Sequence, residues 1–174
     1  AFEEMTVLFS EEQIARRVVA LGHKITKDYA RKNLVVLVLL DGAFIFAADL
    51  CRSIFCSKQI FFVKVSSYGH GKESSGTLHV HLDIAGEKIR GKDVLVVDDI
   101  CDSGLTIDKV LSSLMDKGAR TARSCVLLNK TARRKNAVVV SYFGFKCPDA
   151  FVVGYGMDYQ GDFRAGRDVR IVEY

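Results

Sequence analysis

The sequence predicts a single α/β domain, spanning residues 1–174, with a mainly parallel sheet flanked by helices. Three observations carry that prediction. Residues 34–40 (LVVLVLL) and 93–97 (DVLVV) are short Leu/Val runs of the kind found in strands buried on both faces. Each run is followed by a glycine-containing turn and then a stretch of helical periodicity. An amphipathic helix precedes the first. Alternating strands and helices imply a parallel sheet, whose ligands sit beyond the carboxyl ends of its strands.

The elements follow in order. Ser10-Glu11-Glu12-Gln13 has the form of a capping box, and Ile14, Val18, Leu21, Ile25 and Tyr29 then recur at helical spacing over about 20 residues. Strand 34–40 comes next, broken by Gly42 before a helix over 43–54. Residues 59–66 read as a strand, 67–76 as a long polar, glycine-rich loop, and 77–82 as an alternating strand. Strand 93–97 leads into a loop over 98–106 and a helix over 105–117, ended by Gly118. Strand 124–128, a basic loop 130–135, strand 137–142 and a short strand 151–153 complete the pattern before 170–174.

Composition bounds the function. A chain of 174 residues, 49% apolar and 26% charged, with mean hydropathy +0.14, can bury a full core and excludes intrinsic disorder. Its single proline, Pro148, and the lack of Gly/Ser tracts exclude an interdomain linker. The longest apolar run, closed by Asp41, is far shorter than a membrane span. The first nine residues lack a basic secretory n-region, so the chain reads as cytoplasmic. Cys51, Cys56, Cys101, Cys125 and Cys147 are odd in number and contain no CxxC pair, so they read as small buried thiols. His79 and His81 share a strand face, but no carboxylate or cysteine completes a ligand set, so they read as solvated. A net charge of +4 permits an anionic small ligand without demanding nucleic acid.

Residues 94–106 (VLVVDDICDSGLT) carry the chemistry. Backbone N–H groups from Ser103 through Gly104 and Leu105 to Thr106, with the Ser103 and Thr106 hydroxyls, can cradle a phosphate at a helix N-terminus. Asp98 and Asp99 repel phosphate and suit sugar hydroxyls or a hard divalent cation such as Mg²⁺. A phosphorylated ribose satisfies both ends, and Asp102 between them can accept a proton. The competing reading is ordinary helix capping beside a solvated acidic strand end.

Four apolar residues, an acidic pair and an Asp-Ser-Gly loop ending in Thr resemble the PRPP-binding signature of type I phosphoribosyltransferases, where PRPP is 5-phosphoribosyl 1-pyrophosphate. Residues 39–44 (LLDGAF), 65–69 (VSSYG), Lys130 after a strand, and 148–159 (PDAFVVGYGMDY) narrow the resemblance to the hypoxanthine(-guanine) branch. It implies the type I fold with a small hood made by the N- and C-terminal segments. It implies that Asp98 and Asp99 hold the ribose hydroxyls, directly or through Mg²⁺, that Asp102 handles the purine N7 proton, and that Ser103, Gly104, Leu105 and Thr106 hold the 5′-phosphate. By the same resemblance Lys130 donates to the purine 6-oxo group, Phe151 stacks on the ring, and the Val152 backbone meets its edge. Asp158 lies at the purine and binds a second Mg²⁺. Pyrophosphate falls to Leu40, Asp41, Gly42, Ser67, Tyr68 and Arg164, with a cis peptide between Leu40 and Asp41 and a mobile lid over 67–76. The family usually forms dimers or tetramers.

The reaction so implied is transfer of the phosphoribosyl group from PRPP to N9 of hypoxanthine or guanine, with Mg²⁺ and without a membrane or nucleic-acid partner. An ammonium at Lys130 favours a 6-oxo acceptor over a 6-amino donor, and Arg133, Arg134 and Lys135 read as solvated charges. The sequence departs from the family pattern at Asp41, where Lys is frequent, at Asp98, where Glu is usual, at Ala150 and at Asn129. Two rivals remain: transfer to adenine or xanthine, and a PRPP-sensing regulator that binds nucleic acid through Lys130, Arg133, Arg134 and Lys135, or Arg16, Arg17 and Lys24.

Overall fold

The computed structural model describes residues 1–68 and 79–173. Its centre is a five-stranded sheet whose strands, in spatial order, are Lys58–Lys64 (β3), Leu34–Leu40 (β2), Asp93–Cys101 (β6), Thr121–Asn129 (β7) and Tyr142–Lys146 (β8). All four pairings are parallel. Helices α1 (Glu11–Asp28) and α2 (Phe44–Arg52) cover one face, burying Ile14, Val18, Phe46 and Leu50 against Val36, Val38, Leu95 and Val97. Helix α3 (Leu105–Asp116) covers the other, where Ile107, Val110 and Leu114 meet Val35, Leu37, Val94 and Val96. Burial on both sides is why β2 and residues 94–97 of β6 are Leu/Val rather than alternating.

The expected capping box starts α1: Gln13 N–H donates to Ser10 Oγ and Ser10 N–H to Gln13 Oε1. The expected hood is also present. Thr6–Phe9 (β1), Val152–Val153 (β9) and Val169–Ile171 (β10) form an antiparallel sheet in the order β1-β10-β9, tied to the main body by Phe9 stacked on Phe145 at 4.1 Å. Ser66–Tyr68 (β4) and His79–His81 (β5) form a separate antiparallel pair. The expected strand 59–66 therefore splits at Val65, and strand 77–82 is described only from His79. The expected lid over 67–76 lies outside the described residues from 69 onward.

Two expectations are corrected. The acidic pair was expected in a loop, yet β6 continues through Asp98 and Asp99 to Cys101 because β7 runs alongside, pairing Asp98 with Val126 and Cys101 with Asn129. The strand expected over 137–142 is irregular, and β8 begins at Tyr142. Of residues 137–140, Val138 and Val140 pack inward, while Ala137 is exposed and Val139 is 76% exposed. Strand pairing shifts to where Gly144 permits close approach, since a Cβ there would lie 2.6 Å from the Leu127 carbonyl oxygen.

Topology fixes the site. From β2 the chain crosses through α2 to β3 on one side, and from β6 it crosses through α3 to β7 on the other. The carboxyl ends of β2 and β6 therefore diverge and open a crevice at the switch point.

Candidate active site

The end of β6 brings Asp98 and Asp99 into that crevice. Asp99 N–H donates to Asp98 Oδ1 at 2.8 Å, and Ile100 N–H to Asp99 Oδ1 at 2.7 Å. Burial, then the neighbouring Asp99 charge, pushes the Asp98 carboxyl well above its ordinary value. Opposite, at the end of β2, the Leu40–Asp41 peptide is cis. Gly42 leaves room for the Asp99 carboxylate, which a Cβ there would displace. Gly156 closes the same corner: a Cβ on it would lie 2.7 Å from the Gly42 carbonyl oxygen.

Beyond β6 the loop 102–104 delivers the chain into α3. Gly104 caps that helix with φ of +85°, and Leu105 N–H donates to Ser103 Oγ at 3.3 Å. A depression of about 160 Å³ is lined here by Asp98, Ile100, Asp102, Ser103, Gly104 and Thr106. One end is acidic and the other offers backbone N–H groups at the positive end of a helix dipole, as the sequence predicted.

A second cleft, about 640 Å³, adjoins it and shares Asp102, with Lys130, Arg133, Asp149, Ala150, Phe151 and Val172 around it. Lys130 is 7% exposed. Its ammonium donates to the Ala150 carbonyl at 3.1 Å and lies 3.6 Å from Asp102 Oδ2, while Asp102 Oδ1 is buried without a hydrogen-bond partner among the described residues. The Phe151 ring is half-exposed, edge-on to Tyr159 at 5.8 Å. Val152, beside Phe151 in β9, buries its side chain in the core and is not among the residues that line the cleft. Val172 reaches the cleft because its N–H donates to the Phe151 carbonyl at 2.8 Å, a long-range pairing that no local motif announces.

The remaining candidates fall around these clefts. Arg164 donates to the Gly156 carbonyl at 2.8 Å and pairs with Asp158 at 3.4 Å, so both belong to the turn that closes against Gly42. Asp41 pairs with Lys64 Nζ at 3.4 Å. Ser67 and Tyr68 pair through backbone with Val80 and His79. Arg133 pairs with Asp149 at 3.0 Å. Arg134, expected to be solvated, turns inward: its guanidinium meets the carbonyls of Cys101, Asp102 and Lys130 and the Asn129 side chain. The signal that could have found it is its place four residues after Lys130, at the mouth of two buried strands.

Comparison with known proteins bears directly on this arrangement. Residues 6–160 match the phosphoribosyl transferase domain family. The hypoxanthine phosphoribosyltransferase of Escherichia coli (strain K12) is 42% identical over 160 residues, covering 91% of this chain and 89% of its own length. The hypoxanthine-guanine phosphoribosyltransferase of Aquifex aeolicus is 41% identical over 172 residues, covering 98% and 96%. Among solved structures, a hypoxanthine phosphoribosyltransferase from Staphylococcus aureus superposes with TM-score 0.89 at 35% identity over 99% of this chain and 94% of its own. A hypoxanthine-guanine phosphoribosyltransferase from Bacillus anthracis gives 0.88 at 37% identity over 98% and 100%. The chain thus belongs to the phosphoribosyltransferase family, in its hypoxanthine(-guanine) branch.

Proposed function

We propose that the chain transfers the 5-phosphoribosyl group of PRPP to N9 of hypoxanthine or guanine, giving IMP or GMP and pyrophosphate. The observation that carries the base preference is the Lys130–Asp102 pair on the floor of the larger cleft, 3.6 Å apart, with one Asp102 oxygen left unpaired. A 6-oxopurine protonated at N7 offers an acceptor beside a donor on one edge, and the pair supplies the complementary donor and acceptor. Adenine would set its amino group against an ammonium.

In this reading Phe151 stacks on the ring and Val152 meets its edge through backbone. Ser103, Gly104, Leu105 and Thr106 take the 5′-phosphate, and Asp98 and Asp99 take the ribose hydroxyls. Asp102 receives the N7 proton as N9 bonds to C1 of the ribose and pyrophosphate departs with the electron pair of the broken C1–O bond. The loop Leu40, Asp41 and Gly42, with Ser67, Tyr68 and Arg164, faces the leaving group.

The donor set fits a hard divalent cation. Adjacent carboxylates at Asp98 and Asp99 have no ion-pair partner among the described residues, and their mutual repulsion is what a cation would relieve. Mg²⁺ uses one or two carboxylates together with substrate oxygens and water, so Asp98 and Asp99 would hold one ion and Asp158 a second, and these would neutralise the developing pyrophosphate charge.

The inward turn of Arg134 and the Arg133–Asp149 pair take two charges from the basic surface that a nucleic-acid-binding regulator would use. A homodimer or homotetramer is supported by edge strand β3, where Ile60 and Phe62 lie 36% and 60% exposed on the α2 side of the sheet. Light scattering on Phe62→Lys should report a smaller particle than the parent, and a monomeric parent would remove that part of the reading. All five cysteines are unpaired, as suits a cytoplasmic, reducing compartment. No described helix is long and apolar enough to cross a membrane. Parallel assays of IMP, GMP, XMP and AMP formation from PRPP test the function. IMP or GMP should dominate, and no nucleotide from any base would overturn it.

A further inference from the structure

We infer that Arg134 is a positioning residue that sets the spacing between Asp102 and Lys130, and through it the reading of the purine edge. The inference rests on the roles given to those two residues above. Strands β6 and β7 end together, with Cys101 opposite Asn129 and Lys130 N–H donating to the Cys101 carbonyl at 2.9 Å. Past that point the two chains separate, one into the loop 102–104 and the other into residues 130–136. Their carbonyls lose the strand partner that buried backbone needs.

The Arg134 guanidinium occupies the gap. Nε donates to the Asp102 carbonyl at 3.0 Å, and Nη2 reaches the Lys130 carbonyl at 3.1 Å, the Cys101 carbonyl at 3.4 Å and the Asn129 side-chain oxygen. One planar fork thus holds the main chain of both residues whose side chains stand 3.6 Å apart. Lys135 N–H donates to the Ser103 carbonyl at 2.9 Å, and Arg134 Cδ lies against Gly104, which fastens the same segment to the phosphate loop. A lysine has the charge but only a compact tetrahedral donor, and cannot span these acceptors. Arg134 touches backbone and the Asn129 amide, so its effect reaches the purine through Asp102 and Lys130.

Steady-state kinetics of Arg134→Lys, Arg134→Met and Asn129→Ala, with thermal melts of each, test the inference. KM does not depend on the fraction of folded enzyme, so it separates positioning from stability. Both Arg134 variants should raise the hypoxanthine KM about tenfold or more and lower kcat, and Asn129→Ala, which frees one N–H of the fork, should give a smaller rise of about threefold. If either Arg134 variant fails to fold, the rise in Asn129→Ala and in the remaining variant decides. Hypoxanthine KM within about twofold of the parent in every folded variant, with only Tm and active fraction reduced, would overturn the inference. A parent enzyme that forms neither IMP nor GMP would instead overturn the functional reading.

Discussion

Asp41, first residue beyond β2, and Lys64, last residue of its neighbour β3, form an ion pair 3.4 Å long at the mouth of the crevice. Their side chains are 52% and 71% exposed, so the pair adds only about 0–1 kcal/mol to stability. Its meaning lies in charge placement: a carboxylate occupies the loop proposed to meet pyrophosphate, and the Lys64 ammonium is spent on it. Asp41→Asn frees Lys64 and removes a repulsive charge, so the PRPP KM should fall about threefold or more with Tm little changed, while Lys64→Met should raise it. Unchanged PRPP KM in both variants would show that neither charge meets the leaving group.

Asp102 carries a different prediction. Its unpaired Oδ1 and its ion pair with Lys130 leave one oxygen for a proton and one for the ammonium. Asp102→Asn keeps the shape and loses the basicity, so kcat should fall roughly 10²-fold with the PRPP KM little altered. A near-normal kcat for IMP formation would remove the residue from proton handling.

Gly104 should be intolerant for two reasons that can be separated. Its φ is +85°, and a Cβ would lie 2.7 to 2.9 Å from side-chain atoms of Val138, Arg134 and Asn136. Gly91 shares the left-handed backbone, with φ of +74°, but has nothing within 4 Å of an added Cβ. Gly91→Ala should therefore cost about 1 kcal/mol by urea denaturation, and Gly104→Ala about 2–4 kcal/mol with weakened PRPP binding. Equal losses would mean that the contacts around Gly104 yield without strain.

What was legible in the sequence was local. The Ser10–Gln13 cap, the two-faced strand Leu34–Leu40 and the Asp-Ser-Gly turn into α3 are each written in consecutive residues and hold in the fold. Asp98 and Asp99 resemble a loop because charges are rare in strands, and only the adjacent β7 makes them strand residues. Arg134, Lys64 and Val172 gain their importance from partners distant in the chain or on another strand, so composition marks them as ordinary surface residues. Residues 137–140 show the converse: an apolar run of strand composition, with Val138 and Val140 packed inward as in a strand, pairs with no described strand, and the ladder to β7 starts only at Tyr142.

Tyr29 yields a test of the core under α1. Its side chain is buried, its hydroxyl has no hydrogen-bond partner among the described residues, and burial pushes its pKa up to about 12. The folded chain therefore keeps a proton that the unfolded chain releases above pH 10. Below pH 10 this group leaves stability flat, and between pH 10 and 12 stability declines, by about 2–3 kcal/mol for a two-unit difference. Tyr142 and Tyr155, held by Asp28 and Asp49 and raised chiefly by burial, steepen the same decline. Tyr29→Phe removes an unpaired buried hydroxyl, so at pH 8 it should match the parent or exceed it by about 1 kcal/mol. Its advantage should widen from pH 10 to 11.5, since one titrating group has gone. Urea denaturation at pH 8, 10 and 11.5 measures both effects, and a variant clearly weaker than the parent at pH 8 would mean that the hydroxyl has a partner after all.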